Sequence, residues 1–239
     1  MMHLRKTLTK GVKIIAIVCS GILLYADIFD LQFSILTGPF IDMLLLMGVT
    51  LLGLLFSLIT IPLNGLKKLA SYSPVALFLA TICFSFLMPQ LSVGHYLHYY
   101  TNRKNLESLD ELSKEAEVYK MTDMLRYQKR LNDKAISNEK SYTNKLELEK
   151  AFGDYITEHN LKLEQISELR DRLEDSEVIS LQRTDDYFIL TVDGFVDNEY
   201  GYVKAFSKEL KEGDTMPPYG FVIVRLIEFG DGWYFFYTT

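Results

Sequence analysis

Cysteine is scarce in this sequence, which contains only two among 239 residues. Both of them, Cys19 and Cys83, lie inside strongly apolar stretches of the first hundred residues. Residues 101–239 have no cysteine and therefore no disulfide to constrain them. This later part of the chain must depend on its own hydrophobic core for stability.

Motifs with known catalytic or cofactor chemistry are also missing. There is no glycine-rich phosphate loop, no Cys/His cluster with metal-site spacing, and no Ser, His and Asp set typical of an activated nucleophile. His95 and His98 end an apolar stretch, where an interfacial aromatic belt explains them better than a metal or haem does. Asp193, Asp197 and Glu199 lack the spacing of a calcium loop. We therefore predict a protein that is not an enzyme and binds no cofactor or metal.

Positive charge is in deficit after residue 100. Residues 101–239 carry 19 Lys and Arg against 28 Asp and Glu, whereas residues 1–100 carry six against three. An acidic surface repels the phosphate backbone of DNA and RNA. The composition indicates two differently charged parts and argues against nucleic acid as a partner.

Charged residues are nearly absent from three long apolar runs in the first hundred residues. Residues 43–63 and 74–93 contain none, and residues 12–29 contain only Lys13 and Asp27, near the ends of the run. About 20 apolar residues are needed to span roughly 30 Å of hydrocarbon. The pattern predicts a membrane domain over residues 1–100 with three transmembrane helices.

Each apolar run also contains one pair of small residues spaced four apart. Such pairs let helix backbones approach closely in lipid, either within one chain or between copies in a homo-oligomer. We expect packing within the chain to be their main role. The pairs are Ala16 and Ser20, Gly53 and Ser57, and Ala76 and Ala80.

Lysine and arginine are unevenly distributed around these runs. Cations precede the first run, and Lys67 and Lys68 separate the second from the third, whereas residues 28–41 contain none. Because cytoplasmic loops are enriched in cations, we predict a cytoplasmic N-terminus and, after three crossings, an extracytoplasmic C-terminal domain at a bacterial inner membrane. A cleaved signal peptide is the alternative for the first run, although no clear cleavage site precedes the charged residues Asp27 and Asp30.

Helical spacing dominates the next part of the chain. One series of apolar residues at intervals of three and four begins at Leu106, and a second ends at Leu173, with many Glu and Lys between them. This period is typical of amphipathic helices. We therefore predict that residues 101–176 form a long helical hairpin or coiled-coil spacer, with two helices of about 30 residues each.

Residues 177–239 have the pattern of a β module. Short runs rich in β-branched and aromatic residues alternate with turn sequences such as Gly230-Asp-Gly232. This predicts about five antiparallel strands in a small sheet or barrel-like module. The fold class expected for the whole chain is therefore an α+β membrane protein.

The aromatic residues of this module suggest a binding surface. Fourteen aromatics lie between Tyr187 and Tyr237, more than so small a sheet is expected to bury. The side of the last strand that holds Trp233 is expected to be core, and the other side to be exposed. Large amphipathic rings are favoured at protein interfaces. The predicted partner-binding residues are Tyr200, Tyr202, Tyr234 and Phe236.

Together these features predict a membrane-anchored, non-enzymatic protein-interaction module displayed on the extracytoplasmic side. A toxin-immunity protein is one version, because such a protein needs only to hold a binding surface where the toxin acts. The alternative is an accessory or regulatory subunit of a membrane transporter or channel, with the apolar runs as the working part. The expected partners are the lipid bilayer and another protein.

Overall fold

The computed structural model divides into two compact units, Met1–His98 and Tyr99–Thr239. The residues described are 2–38, 41–87, 92–122, 129–136, 144–195, 198–216 and 220–239.

Every element of regular structure in the described part of the unit Met1–His98 is a helix. Its helices are α1 (Met2–Ile28), α2 (Asp30–Thr37), α3 (Ile41–Asn64), a single 3₁₀ turn (Leu69–Ser71), α4 (Ser73–Leu87) and the beginning of α5 (Val93–Glu115). Helix α1 packs on both α3 and α4. Long uncharged runs favour helix here because in an apolar setting a helix satisfies its backbone groups internally.

Two helices of this unit have the length and composition of a membrane span. They are Lys6–Ile28 and Ile41–Asn64. The prediction of three transmembrane helices is therefore corrected to two. The third apolar run forms α4, whose 15 residues extend about 22 Å and fall short of the roughly 30 Å hydrocarbon layer. Pro89, which follows α4, lies outside the described residues.

Small residues form the contact between α1 and α3. Ala16 and Ser20 of α1 and Ser57 of α3 are each at most 2% exposed. Gly53 is also buried, and a Cβ added there would collide with the ring of Phe78 and lie 3.1 Å from Cβ of Cys19. The absence of a side chain at Gly53 therefore allows α1, α3 and α4 to meet. The third predicted pair, Ala76 and Ala80, is exposed and does not contribute to this packing.

Gly53→Val is expected to loosen the unit Met1–His98 by about 1–3 kcal/mol, because the added methyl groups overpack the three-helix contact. The measurement is the midpoint of denaturation in mixed micelles of dodecyl maltoside and sodium dodecyl sulfate. Gly48→Val is the control, since it lies in the same helix and a Cβ added there meets nothing within 4 Å. Equal effects of the two substitutions would show that α1, α3 and α4 do not meet at Gly53.

The unit Tyr99–Thr239 combines the rest of α5 with two short helices and a nine-stranded sheet. The helices are α6 (Lys145–Glu158) and α7 (Leu163–Asp175). The strands are β1 (Lys120–Thr122), β2 (Lys129–Leu131), β3 (Lys134–Ile136), β4 (Ser180–Arg183), β5 (Tyr187–Phe195), β6 (Asn198–Ala205), β7 (Thr215–Met216), β8 (Phe221–Gly230) and β9 (Trp233–Thr238). Their order is β3-β2-β1-β4-β5-β6-β9-β8-β7, and each neighbouring pair is antiparallel. The α+β class is therefore confirmed.

The long helical hairpin predicted for residues 101–176 is wrong. This segment contains the end of α5, then β1, β2 and β3, and then the short helices α6 and α7. Met121 and Leu131 match a helical period in the sequence, but they lie opposite each other in neighbouring strands and are fully buried. Apolar residues in short strands that follow a helix can continue its three-and-four spacing by coincidence. Spacing alone therefore does not distinguish a longer helix from a helix followed by strands.

The five strands predicted after residue 176 are all present, as β4, β5, β6, β8 and β9. The last two form the expected hairpin. Its turn places Gly230, Asp231 and Gly232 at φ of 94°, 54° and 77°. Glycine adopts positive φ without the steric cost of a Cβ, and aspartate is among the few other residues that do so in hairpin turns. Four strands, β1, β2, β3 and β7, were not predicted. Each is only two or three residues long, which is too short to show an alternation of apolar and polar residues.

The turn after α5 and the turn after α7 have the same backbone structure. Glu117 and Glu177 occupy equivalent places and have φ of 54° and 55°. In each turn the next amide, Val118 N–H or Val178 N–H, donates to the carbonyl oxygen five residues earlier, at 2.9 and 3.0 Å. This is the bond with which a helix commonly ends before a strand.

The strands that follow these two turns lie side by side. β1 pairs with β4 in antiparallel fashion, with Met121 opposite Leu181. Each of them continues outward into two more strands, β2 and β3 on one side and β5 and β6 on the other. The helix–turn–strand arrangement therefore occurs twice in this unit, and its two strands are antiparallel neighbours.

Ser176→Ala is expected to stabilise the unit Tyr99–Thr239 by about 1 kcal/mol, because a buried hydroxyl without a partner has lost its hydration. Ser176 is 0% exposed, and among the described residues its Oγ has no hydrogen-bond partner. The equivalent position in the first turn is already alanine, Ala116. Thermal unfolding of the two proteins measures the effect.

Ser113→Ala provides the matched control for this prediction. Ser113 is as buried as Ser176, but its Oγ donates to the carbonyl of Asp110 at 3.0 Å and accepts from Arg183. Its removal should lower stability by about 1 kcal/mol. A loss of stability in Ser176→Ala as large as that in Ser113→Ala would contradict the expected result.

Candidate functional site

All four residues predicted to bind a partner are buried. Tyr202 is 0% exposed, Phe236 is 1%, and Tyr200 and Tyr234 are 8% each. The expected exposed surface is therefore wrong. Tyr202 lies directly opposite Phe235, the strand neighbour of Tyr234, so the two tyrosines point to opposite faces of the sheet. The face that holds Tyr202 is called the first face below, and the face that holds Tyr234 is called the second face.

The second face is covered by the segment that connects β6 to β8. Leu210 and Met216 of this segment are each 3% exposed and pack against Tyr234, Phe236 and Val203. This cover was not predicted from the sequence, because the connecting segment is largely polar. Leu210 and Met216 are separated along this segment, and both lie in the buried cluster of the second face.

The first face is covered by α5 at its aromatic part. The ring of Tyr99 stacks on Phe229 with centroids 4.2 Å apart and planes 5° apart, and it lies 6.1 Å from Tyr202 and 6.3 Å from Trp233. Burial raises the pKa of the Tyr202 hydroxyl well above its ordinary value. The direction of this shift agrees with the burial of Tyr202 in the core of the sheet.

A buried charged cluster lies beside this aromatic core on the first face. Asp110 of α5 is 2% exposed, and its carboxylate binds Arg183 of β4 and Lys204 of β6, the latter at 2.7 Å between Oδ2 and Nζ. Lys114, one turn further along α5, places Nζ 3.4 Å from the same carboxylate. With Ser113, which contacts Arg183 through Oγ, these residues are called the Asp110 cluster.

Electrostatics hold the Asp110 carboxylate ionised. Burial by itself raises the pKa of this carboxyl, but the hydrogen bonds and positive charges of Arg183 and Lys204 outweigh burial, so the pKa lies below its ordinary value. The carboxylate thereby fixes α5 to two different strands. Such a contact is stable only when the charged groups are well paired.

Aromatic rings surround the cations of the Asp110 cluster. The guanidinium of Arg183 lies 4.7 Å from the ring centre of Phe188 and 5.4 Å from that of Phe206. Phe206 also contacts Lys114, at 5.4 Å, and Trp233 contacts Lys204, at 5.6 Å. Cation–π contacts of this kind partly replace the hydration that the cations lose.

Two further titratable groups of the sheet are shifted chiefly by burial. Burial lowers the pKa of Lys120, and the nearby charge of Arg130 adds to this effect. Burial raises the pKa of Glu199, and Lys120 partly opposes the rise. Desolvation accounts for both directions, so neither shift requires a catalytic role.

Candidate metal ligands do not converge in the described part of the chain. No group of three or more His, Cys, Asp or Glu side chains there is arranged to hold an ion. His95 is fully buried, and its Nδ1 lies 3.4 Å from Oδ1 of Asp30. His98 is 3% exposed. Of the acidic turn considered for calcium, Asp197 lies outside the described residues.

Comparison with known proteins gives no relative from which a function could be inferred. No family model matches the chain, and no curated protein and no solved structure shows significant similarity to it. The class of protein that the structure defines is an α+β protein with two candidate membrane helices and an antiparallel sheet.

Sequence reasoning overlooked the Asp110 cluster, although a signal for it exists. Leu106, Leu109 and Ser113 follow the three-and-four spacing of a buried helix face, and Asp110 falls on the same face. A charged residue in such a stripe is either exposed at its edge or buried with partners. The partners Arg183 and Lys204 lie more than 70 residues away along the chain, so the sequence could not name them.

Proposed function

We propose that this chain is a membrane-anchored, non-enzymatic protein whose unit Tyr99–Thr239 binds another protein. A toxin-immunity protein is one form of such a protein. The observation that carries the proposal is the apolar outer surface of α1 and α3, which favours a lipid environment for the first unit. The second unit has a separate core of its own and is large enough to present a binding surface.

The outer surface of the two long helices supports insertion into a bilayer. Only 33% of the apolar stretch in Lys6–Ile28 and 17% of that in Ile41–Asn64 are buried within the protein. Ile14, Met43 and Leu51 are examples of the exposed side chains, at 60%, 60% and 62%. In water such a surface would drive association, whereas lipid solvates it.

The cation distribution supports a cytoplasmic N-terminus. Two crossings alone would return the chain to the cytoplasm at Lys67 and Lys68, which agrees with the preference of cations for that side. The residues after the second crossing, Tyr99–Thr239 among them, then remain on the cytoplasmic side, because the described residues contain no third helix of membrane length. We propose this arrangement at a bacterial inner membrane, in place of the extracytoplasmic position expected from three crossings.

Cysteine labelling tests the topology. In a chain with Cys19 and Cys83 replaced by alanine, Lys67→Cys and Lys150→Cys provide two exposed reporters. An impermeant maleimide is expected to label the cysteines at positions 67 and 150 only after the inner membrane is broken. Labelling of position 150 in cells with only the outer membrane opened would refute the cytoplasmic position, and release of the protein by alkaline carbonate would refute the anchor.

The exposed side chains of Val222 and Val224 on β8 are the proposed binding surface, since the four predicted aromatics are buried. These two valines are 40% and 49% exposed. The backbone of the same strand is already bonded at Ile223, to Gly213 and Asp214, and at Leu226, to Oε1 of Glu212. A partner would therefore contact the apolar side chains rather than an open strand edge.

Photo-crosslinking in cells tests this surface. A photoreactive phenylalanine analogue at position 224 is expected to give a discrete crosslinked adduct whose partner mass spectrometry identifies. The control places the same analogue at position 146, where Leu146 on α6 is 59% exposed. An adduct at 146 and none at 224 would move the binding surface to the helices.

The alternative is an accessory or regulatory subunit of a transporter or channel. One observation favours it: Asp27 Oδ2 accepts a hydrogen bond of 2.5 Å from Ser85 Oγ, between α1 and α4. An ionisable side chain among apolar helices is often kept for ion or proton movement. Asp27→Asn should abolish the function of the larger complex if this reading holds, and it should leave a purely anchoring membrane unit unaffected.

A further inference from the structure

We propose that the Asp110 cluster is a binding site for a phosphate-type dianion. Three cationic side chains, from Lys114, Arg183 and Lys204, meet around a single carboxylate. In the described part of the chain their ion pairs all go to Asp110. The cluster therefore carries a surplus of two positive charges.

The surplus remains after the helix terminus is taken into account. The cluster lies near the C-terminal end of α5, which ends at Glu115, and a helix end of this kind contributes about half a negative charge. More than one uncompensated positive charge is left in a partly buried place, where mutual repulsion is weakly screened. A dianion would relieve this repulsion, whereas a neutral ligand would not.

Hydrogen-bond donors are available for such a ligand. Arg183 uses Nε and Nη2 to contact Asp110 and Ser113, and its Nη1 makes no hydrogen bond within the described residues. Lys204 uses one of its three N–H donors on Asp110, and Lys114 approaches the same carboxylate only at 3.4 Å. Charge-assisted bonds from arginine and lysine are those that phosphate oxygens favour.

Side-chain exposure indicates how the ligand would reach the cluster. The exposed fraction rises from 4% at Asp110 to 16% at Arg183, 27% at Lys204 and 56% at Lys114. Phe206, 40% exposed, lies between Lys114 and Arg183 and contacts both. The cations therefore lead from solvent to the buried carboxylate, with one apolar ring beside the path.

The shared chemistry of the ligand is a phosphate group, either free or on a lipid headgroup. The test uses the full chain in dodecyl maltoside at low ionic strength, titrated with inorganic phosphate and followed by ³¹P nuclear magnetic resonance. We expect saturable binding at about pH 8 that weakens at about pH 5, because the second phosphate proton is then bound. Sulfate, which stays a dianion, should compete at both pH values.

Lys114→Gln is the deciding variant, because this side chain is exposed and its loss leaves the Asp110 contacts to Arg183 and Lys204 in place. Phosphate binding should weaken about fivefold, as expected for one partly exposed charge, with no change in the thermal midpoint. Lys211→Gln is the control, since Lys211 is also exposed and makes one ion pair at 3.8 Å. Absence of saturable binding to the parent, or equal binding to the parent and Lys114→Gln, would overturn the site.

Micelles doped with phosphatidic acid or phosphatidylcholine separate the two sources of the phosphate group. A rise in thermal midpoint with phosphatidic acid that depends on Lys114, and exceeds the effect of free phosphate, assigns the site to a headgroup. A Lys114-dependent rise with free phosphate alone assigns it to a soluble ligand. A rise that persists in Lys114→Gln places lipid binding elsewhere and counts against the site.

Discussion

Asp110→Ala is expected to destabilise the unit Tyr99–Thr239 by about 3–5 kcal/mol, because it leaves Arg183 and Lys204 partly buried without their carboxylate. Chemical denaturation of the detergent-solubilised chain, followed by the fluorescence of Trp233, measures the loss. Trp233 is a suitable reporter because it is 1% exposed and its ring lies 5.6 Å from Lys204. The magnitude exceeds that of any surface ion pair.

Asp171→Ala is the matched control for this change. Asp171 also contacts an arginine, Arg170, at 2.9 Å, but its own side chain is 63% exposed. Exposed ion pairs contribute about 0–1 kcal/mol. If Asp110→Ala cost no more stability than Asp171→Ala, the Asp110 cluster would not hold α5 to the sheet.

The dependence of stability on pH provides a second measurement of the same contact. Because the pKa of Asp110 is lowered in the folded protein, its contribution is fully present above the unfolded value of about 3.9. The contribution is lost as pH falls through the lower, folded pKa. The difference in the free energy of unfolding between the parent and Asp110→Ala should therefore become smaller below about pH 4. An advantage that stays constant with falling pH would contradict the ion-pair account.

Tyr202→Ala is expected to destabilise the same unit by about 3–5 kcal/mol, because it removes a fully buried ring and leaves a cavity. Tyr202 contacts Phe235 edge to face with centroids 4.9 Å apart, and it lies 6.1 Å from Tyr99. Thermal unfolding followed by circular dichroism measures the loss. The control is Tyr100→Ala, which removes the same side chain from a site that is 59% exposed.

This experiment distinguishes a binding role of the aromatic residues from a role in the core. An exposed binding tyrosine would be removed with little loss of stability, within about 0.5 kcal/mol. Removal of a core tyrosine lowers the free energy of unfolding much more. If Tyr202→Ala matched Tyr100→Ala in stability, the burial of the first face beneath α5 would be in error.

Elements with a strong local pattern could be predicted from the sequence. The strands of residues 180–238 were recognisable because short runs rich in β-branched and aromatic residues, such as Trp233–Thr238, are separated by turn sequences. Helices α1 and α3 were recognisable because each has an apolar run of membrane length. In both cases neighbouring residues supply the signal, so distant parts of the chain need not be known.

The burial of the aromatic residues and the Asp110 cluster could not be predicted, because both depend on contacts between distant parts of the chain. Leu210 and Met216 decide whether Tyr234 is exposed, although they belong to another segment and have no local pattern. Likewise, Asp110 becomes a junction only because Arg183 and Lys204 reach it from two separate strands. Exposure and ion pairing depend on long-range contacts that periodicity does not contain.

The sequence by itself determined that this chain has two parts, one apolar and one acidic, and that its last sixty residues form an antiparallel sheet. The tertiary structure alone decided that the segment around Met121 and Leu131 joins that sheet as strands, because their partners in the sheet include Leu181, far along the chain. It also decided that the aromatic residues form a core, because burial is set by what packs over a side chain and not by the side chain itself.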